Sequence, residues 1–197
     1  IYQGLWAEML EDRKFFYGVG EGESPWKPVG AGAPVAMDHR APFTGVHTPR
    51  VVLSGKGPAG LAQGELALVA GKAYAGRIVL AGDPGAAPVD VSLIWGDAPG
   101  DRQTVSVKGI GRAFRTFPLA FTAGASTEGA RLEIVSSGRG AFRVGAVSLM
   151  PADNVEGFRP EVLALLRELD APVYRWPGGN FVSGYDWRDG IGDRDRR

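Results

Sequence analysis

Side chains suited to hydrogen bonding and stacking against a polar ring are concentrated near the end of the chain. Residues 173–176 (VYRW) form a short β-prone run that contains Arg175 and ends in Trp176. A Pro-Gly-Gly sequence then interrupts regular structure, and Asn180 and Trp187 follow. A buried strand that ends in such a loop is typical of a binding site, and these residue types are the ones that contact sugars.

A second group of residues with the same potential lies at the opposite end of the chain. Residues 4–11 (GLWAEMLE) place Glu8 in a short apolar stretch, which predicts a strand near the start. We expect the two ends of the chain to meet in space, so that Glu8 joins the loop residues in one site.

Each of these residues also has an ordinary structural interpretation. Glu8 taken alone fits a solvated or capping carboxylate, because buried unpaired acids are rare. Arg175 fits a buried ion pair, and Asn180 after two glycines fits a turn. Trp176 and Trp187 fit either a sugar-binding cleft or a hydrophobic core.

Composition restricts the classes of function. The chain has 197 residues, with 22 Lys+Arg and 22 Asp+Glu, so bulk charge favours neither a nucleic-acid nor a membrane partner. No apolar run reaches the roughly 18–20 residues that span a bilayer. The sequence has no cysteine and 2 histidines, and the aspartates of residues 186–195 lack calcium-loop spacing. We therefore expect no metal and no cofactor, and we interpret residues 186–195 as a solvated loop paired with arginines.

The middle of the chain predicts a turn-rich β-sandwich or jelly roll. Short apolar runs recur between Gly, Pro and Asp turns, and several alternate with a period of two, as Val89, Val91 and Leu93 do. Residues 18–45 are rich in Gly and Pro and are predicted to be an extended connector. The predicted strands are residues 50–53, 65–69, 73–81, 89–95, 103–108, 113–121, 131–135 and 141–150.

The pattern changes after Pro151 to that of a helix followed by a strand. Phe158, Val162, Leu165 and Leu169 fall at helical spacing, and residues 173–176 then read as a strand. We therefore predict a mainly β chain in which a jelly-roll β-sandwich is inserted into the first units of an incomplete (β/α)8 barrel. The predicted division is 1–45 (first barrel strand and connector), 46–150 (sandwich) and 151–197 (barrel helix, second strand and site loop).

Two end blocks and a linker carry a family resemblance. They are residues 4–17 (GLWAEMLEDRKFFY), residues 175–192 (RWPGGNFVSGYDWRDGIG) and the linker at 150–154 (MPADN). Together they resemble the N-terminal part of an α-L-arabinofuranosidase of glycoside hydrolase family fifty-one. The residues between the blocks resemble the jelly-roll, carbohydrate-binding-like insert found in some members.

The resemblance implies a retaining glycoside hydrolase with a catalytic barrel and two catalytic glutamates. In the family both glutamates lie on later barrel strands, so we expect no catalytic residue in this chain, which should be the inactive front part of a longer protein. Glu8 matches a glutamate that hydrogen-bonds sugar hydroxyls, and Asn180 matches a polar residue that touches the arabinose. Arg175 matches an arginine that supports the downstream nucleophile. Trp176 and Trp187 would line the sugar cleft.

The implied partner is an arabinose-containing polysaccharide or oligosaccharide, and the sequence leaves oligomeric state, compartment and linkage open. An alternative function is a carbohydrate-binding β-sandwich without catalysis, and a third is a sandwich that only supports the barrel or an oligomer interface. The aromatic residues of the sandwich fit the core better than a sugar-stacking platform. They are Trp95, Phe114, Phe117, Phe121 and Phe142.

Overall fold

The computed structural model describes residues 2–32, 34–175 and 178–196, and for residues 2, 3, 181 and 189 it describes the backbone alone. The chain divides into two compact units. The sandwich unit is Glu8–Ala152, and the helical unit combines residues 1–7 with residues 153–197.

The sandwich unit consists of two five-stranded antiparallel sheets among the described residues. One sheet has the order β1-β4-β9-β6-β7 and the other the order β2-β3-β10-β5-β8. The strands are β1 (Trp26–Val29), β2 (Val35–Asp38), β3 (Thr48–Ser54), β4 (Ala59–Leu68), β5 (Ala73–Gly82), β6 (Val89–Ile94), β7 (Arg102–Val107), β8 (Arg115–Thr122), β9 (Thr127–Ser136) and β10 (Arg139–Pro151).

The core of the sandwich is built from the inward faces of both sheets. Val89, Val91 and Leu93 of β6 are completely buried, as their alternation predicts, because successive side chains of a strand point to opposite faces. Phe121 of β8 and Phe142 of β10 lie in the same cluster, which confirms the core interpretation for these two aromatic residues. The predicted mainly β sandwich is therefore confirmed.

All eight predicted strands are present, but two further strands were missed. β1 and β2 lie in residues 18–45, so the predicted extended connector contains two strands that its sequence pattern did not reveal. Each has only four residues, and within the described residues each pairs with one strand, β1 with β4 and β2 with β3. Such short edge strands carry little periodic signal, and the Pro28 that disguises β1 is tolerated because an edge strand has one open side.

The helical unit contains a short helix α1 (Tyr2–Leu5) and the predicted helix α2 (Pro160–Glu168). Pro160 occupies the first turn of α2, where its missing N–H costs nothing, and Glu161 adds a negative charge there. Two 3-10 helices follow, Gly179–Gly184 and Trp187–Gly190.

Two predicted strands in this unit are not formed as expected. The predicted first strand contains the helical turn α1, and only Trp6 makes an isolated β-bridge, to Phe158. In the predicted second strand, residues 173–175 belong to no strand, and Trp176 lies outside the described residues. A buried parallel strand needs hydrogen-bonded neighbours, and all strand pairs in the described part of the chain are antiparallel.

The described part of the chain contains no helix that is both long and apolar enough to cross a membrane.

Candidate functional site

Glu8 is held by a network of hydrogen bonds at one edge of the sandwich unit. Its Oε2 accepts from the Ser148 hydroxyl at 2.6 Å, and its Oε1 accepts from the Leu149 N–H at 2.9 Å and from the Leu10 N–H at 3.3 Å. Arg13 Nη1 lies 3.5 Å from Oε2, and the Glu8 side chain is 19% exposed. The carboxylate is thus accessible, but it is largely occupied by protein donors.

The position of Glu8 follows from how the segment after it runs along β10. β3 pairs with β10 only as far as Arg143, which leaves the later part of that edge available. Met9 N–H donates to Leu149 O at 2.9 Å, and Val147 N–H donates to Arg13 O at 2.9 Å. The Glu8 carboxylate therefore takes the place that a strand carbonyl would have opposite Leu149.

Gln63 of β4 fastens the same segment to the other sheet. Its side-chain oxygen accepts from the Glu11 N–H at 2.8 Å, and its amide group donates to the Glu11 carbonyl at 2.9 Å. Gln63 is 3% exposed, so these bonds are protected from water. The segment from Glu8 to Arg13 is consequently fixed to both sheets.

In the helical unit, the beginning of the chain pairs with the turn that precedes α2. Ala7 N–H donates to Gly157 O at 2.9 Å, and Arg159 N–H donates to Leu5 O at 3.0 Å. The rings of Trp6 and Phe158 stack with centroids 4.6 Å apart. The start of the chain therefore contacts residues 157–159, which precede α2 and are not part of the predicted site loop.

The predicted loop residues of the helical unit are exposed. Arg175 and Asn180 are both exposed, and Trp187 is 66% exposed at the start of its 3-10 helix. The alternatives of a buried ion pair for Arg175 and of a core position for Trp187 are therefore not seen in the described structure. Trp176 lies outside the described residues.

The aspartate-rich loop is an arginine-paired loop at Asp186. The Arg188 guanidinium donates to both carboxylate oxygens of Asp186, with Nη2 to Oδ2 at 2.6 Å and Nε to Oδ1 at 2.9 Å. The Arg188 N–H also donates to Oδ1 at 3.0 Å. These bonds to Arg188 lower the pKa of Asp186 below its ordinary value, because they favour the charged form. Among the described residues no three His, Cys, Asp or Glu side chains converge as metal ligands.

The candidate residues are divided between the two units. Glu8 belongs to the sandwich unit, whereas Arg175, Asn180 and Trp187 belong to the helical unit. Sequence reasoning missed the partners of Glu8, since Ser148 and Leu149 are about 140 residues away in the chain. Ser148 is completely buried in β10, and no local pattern connects it with Glu8.

A groove on the sandwich unit was also missed. It has a volume of about 390 Å³ and is lined by charged residues that include Arg50, Arg112 and Arg143. These arginines come from three distant segments, and none lies in a motif, so no sequence pattern joins them.

Fold and site together define a two-sheet antiparallel β-sandwich, accompanied by a small helical unit with an exposed polar loop. The sandwich is similar in fold to the CBM22-1 xylan-binding domain of Paenibacillus barcinonensis Xyn10C. That match has a TM-score of 0.55 and 13% identity, and it covers 76% of this chain and 97% of that domain.

At the sequence level the chain resembles α-L-arabinofuranosidases. It is 55% identical over 47 residues to an exo-α-(1→6)-L-arabinofuranosidase of Bifidobacterium longum. It is 49% identical over 47 residues to the intracellular exo-α-(1→5)-L-arabinofuranosidase 1 of Bacillus subtilis (strain 168). In both cases the match covers 24% of this chain and 9% of the relative. No family model matches the chain.

The fold of nearly the whole chain is also found in a solved arabinofuranosidase. The arabinose-bound MgGH51 α-L-arabinofuranosidase matches with a TM-score of 0.76 and 17% identity, over 98% of this chain and 36% of that chain. The resemblance to arabinofuranosidases of family fifty-one is therefore confirmed, and the chain spans only a minor part of the proteins that it resembles.

Proposed function

We propose that this chain is the N-terminal portion of a retaining α-L-arabinofuranosidase. The observation that carries the proposal is the identity of about half of 47 residues to curated exo-acting arabinofuranosidases. The match in fold over 98% of the chain supports it, because the sandwich and the helical unit occur together in a protein of that activity. The substrate would be a terminal, non-reducing α-L-arabinofuranosyl residue of an arabinan or arabinoxylan type of glycan.

An uncovered apolar face on α2 supports the further proposal that a (β/α)8 barrel is completed by additional residues. Leu165 is 59% exposed and Leu169, just past the helix, is 70% exposed. No residue of α2 is buried in the described structure. A helix with such an apolar stripe is stable when the stripe packs against another element, and in a barrel that element is the sheet.

The proposed site residues divide the work of binding and positioning. Glu8 would accept a hydrogen bond from a sugar hydroxyl, and Asn180 would contact the arabinose from its exposed loop. Trp187, and Trp176, would line the cleft. Arg175 would lie beside the downstream nucleophile, because an adjacent cation keeps a carboxylate ionised and ready to attack. Retaining catalysis needs an acid/base and a nucleophile about 5–5.5 Å apart, and we propose that both are supplied by later barrel strands.

The experiment that tests the enzyme is hydrolysis of 4-nitrophenyl α-L-arabinofuranoside. The 197-residue chain is compared with the protein extended through the rest of its reading frame. Release of nitrophenol by the extended protein alone is the expected result. Release by neither protein would contradict the assigned activity, and release by the short chain would mean that the catalytic carboxylates are misplaced.

Two substitutions in the extended protein test the assigned roles. Glu8→Ala is expected chiefly to raise KM, because one charged hydrogen bond to the sugar is worth about 1.5–3 kcal/mol. Arg175→Ala is expected chiefly to lower kcat, because it would leave the nucleophile misplaced. Arg131→Ala, on β9 in the sheet that does not contain β10, is the matched control. Parent-like kinetics in both site variants would contradict both roles.

A second candidate function is carbohydrate binding by the sandwich itself. The observation that favours it is the fold shared with a xylan-binding domain, nearly all of which the chain covers. The test is mobility of the 197-residue chain in native gels that contain soluble arabinan or xylan. Retardation relative to a non-binding protein is expected, whereas equal mobility in both gels would contradict sugar binding by the sandwich.

A further inference from the structure

The groove of about 390 Å³ is lined by residues of the sheet β2-β3-β10-β5-β8 and of the loops beside it. Its charged lining consists of Asp38, Arg50, Asp83, Arg112 and Arg143. The sheet register brings two of these together, because Arg143 of β10 is directly opposite Arg50 of β3. The volume lies within the range of about 300–1,000 Å³ that is usual for small-ligand sites.

The side chain of Arg143 is held in place in this groove by several partners. Its Nη1 donates to Ala41 O at 3.1 Å, its Nη2 donates to Arg112 O at 3.3 Å, and its Nη1 lies 3.7 Å from Asp38 Oδ2. Its guanidinium carbon is 4.8 Å from the centroid of the Phe114 ring. With five potential N–H donors directed at several fixed partners, Arg143 holds the loop that carries Arg112 against the sheet.

The two acidic groups of the groove are already occupied. Asp38 faces Arg143, and its Oδ1 accepts from the Arg40 N–H at 3.0 Å. Asp83 Oδ2 accepts from the Ala141 N–H at 2.9 Å. Both carboxylates therefore serve to hold the walls of the groove.

Arg50 and Arg112 are the free cations. Both side chains are exposed, and within the described ranges neither guanidinium group makes a hydrogen bond or an ion pair. With three arginines and two aspartates, the groove has a net charge of +1. A groove with two uncommitted guanidinium groups and an excess of positive charge is suited to an anion, and the planar guanidinium fork matches a carboxylate.

We propose that this groove binds the carboxylate of an acidic sugar, a uronic acid residue, in the glycan that the protein acts on. The assignment of the carboxylate to a sugar rests on the proposed function, whereas the selection of an anion follows from the groove alone. Arg50 and Arg112 form the charged hydrogen bonds, and Arg143 positions Arg112. The site would anchor an acidic glycan at the sandwich, independently of the residues proposed to contact arabinose.

The test is isothermal titration calorimetry of the 197-residue chain with three probes. They are an α-1,4-linked galacturonic acid trisaccharide, its methyl ester, in which the charge is removed, and inorganic phosphate. The acid trisaccharide is expected to bind at least about tenfold more tightly than its ester, because a charge-assisted hydrogen bond is lost in the ester. Phosphate is expected to bind more weakly than the acid trisaccharide.

Three variants locate the binding. Arg50→Gln and Arg112→Gln are each expected to weaken trisaccharide binding by about tenfold or more. Arg131→Gln, on β9 of the other sheet, is the matched control, expected to stay within about twofold of the parent because Arg131 does not line the groove. All three positions retain a polar side chain, and circular dichroism checks that the variants are folded.

Several results would overturn the proposal. Equal binding of the acid and its ester would show that the charge is not recognised. An equal loss with Arg131→Gln would show a diffuse electrostatic effect, and tighter binding of phosphate would reject the sugar. Since no hydrolysis is measured, failure here leaves the arabinofuranosidase proposal intact, and failure of the nitrophenyl arabinoside assay leaves the anion site intact.

Discussion

Glu8 shows how a single carboxylate can fasten two distant segments of chain. It accepts hydrogen bonds from Leu10 in its own segment and from Ser148 and Leu149 in β10. The proposed contact with a sugar hydroxyl would use acceptor capacity that remains on Oε2, because each carboxylate oxygen has about two lone-pair sites and Oε1 already accepts two bonds. The structural and ligand-binding roles of Glu8 are therefore compatible, and each can be tested by its own measurement.

Replacing Glu8 in the 197-residue chain should lower its stability even without ligand. Glu8→Ala leaves a part-buried Leu149 N–H and Ser148 hydroxyl without their acceptor, so we expect the free energy of unfolding in urea to fall by about 1–3 kcal/mol. Glu8→Gln should be milder, because its amide oxygen can still accept. Glu128→Ala, at an exposed position, should change stability by less than about 0.5 kcal/mol. Equal stability of Glu8→Ala and the parent would refute the structural role.

The hydrogen bonds between Asp186 and Arg188 predict how stability depends on pH. Because Arg188 lowers the pKa of Asp186, the pair contributes stability above the pKa that Asp186 has in the unfolded chain, and this contribution is lost as pH falls through the folded pKa. A carbon-13 NMR titration of the Asp186 carboxyl should show the lowered value, and Arg188→Gln should return it upward. Arg167→Gln in α2 is the control. An unchanged titration in Arg188→Gln would contradict the assigned cause.

At the scale of elements, a strand can be predicted from the sequence when its own residues carry a burial pattern, and it is missed when it depends mainly on pairing with remote strands. The eight strands that were predicted carry short apolar runs between turn residues, and several of the runs alternate with a period of two, so a local pattern was enough to find them. β1 and β2 are short edge strands whose existence depends on β4 and β3, which are remote in the chain. The strand that was predicted at residues 173–175 is not formed, and a strand of that kind would depend in the same way on parallel neighbours.

Prediction of the candidate site from the sequence is limited in the same way. The types of the residues drew attention to Glu8, Arg175, Asn180 and Trp187, and their exposed or partly exposed positions are consistent with ligand contact. The hydrogen-bond network around Glu8 and the arginine groove are formed by residues far apart in the chain. Apart from Glu8, none of these residues has a local sequence pattern that suggests a role. Tertiary pairing, such as Arg143 opposite Arg50, carries information that no local pattern contains.

Close packing between β4 and β9 gives a prediction for one glycine. A Cβ atom added to Gly60 would clash with the carbonyl oxygen of Ile134 and lie 2.9 Å from the Val135 Cα, both on the β9 backbone, which cannot move aside easily. Gly60→Ala should therefore lower the free energy of unfolding by about 1–3 kcal/mol. Gly64→Ala in the same strand meets nothing within 4 Å and is the matched control. Equal urea midpoints for the two variants would contradict the packing argument.

At the scale of the whole molecule, the limits of the sandwich unit decide which parts of the chain can be studied alone. The compact unit is Glu8–Ala152, whereas the predicted sandwich was residues 46–150. The difference includes β1, β2 and buried aromatic residues, of which Phe15 and Trp26 are the most deeply buried. Phe15 is 1% exposed and Trp26 is 0% exposed, and their ring centroids are 5.2 Å apart.

A chain limited to residues 46–150 should consequently fail to fold. Loss of a buried large aromatic side chain costs about 3–5 kcal/mol, and two such losses approach the total stability of about 5–15 kcal/mol that a domain has. The truncation also exposes the edges of β4 and β3, which favours aggregation. A chain of residues 8–152 keeps both aromatic residues, both edge strands and the bonds of Gln63 to Glu11. Urea unfolding followed by near-ultraviolet circular dichroism should show a cooperative transition for residues 8–152 and none for residues 46–150. A cooperative transition of equal midpoint in both would mean that residues 8–45 contribute nothing to the stability of the sandwich.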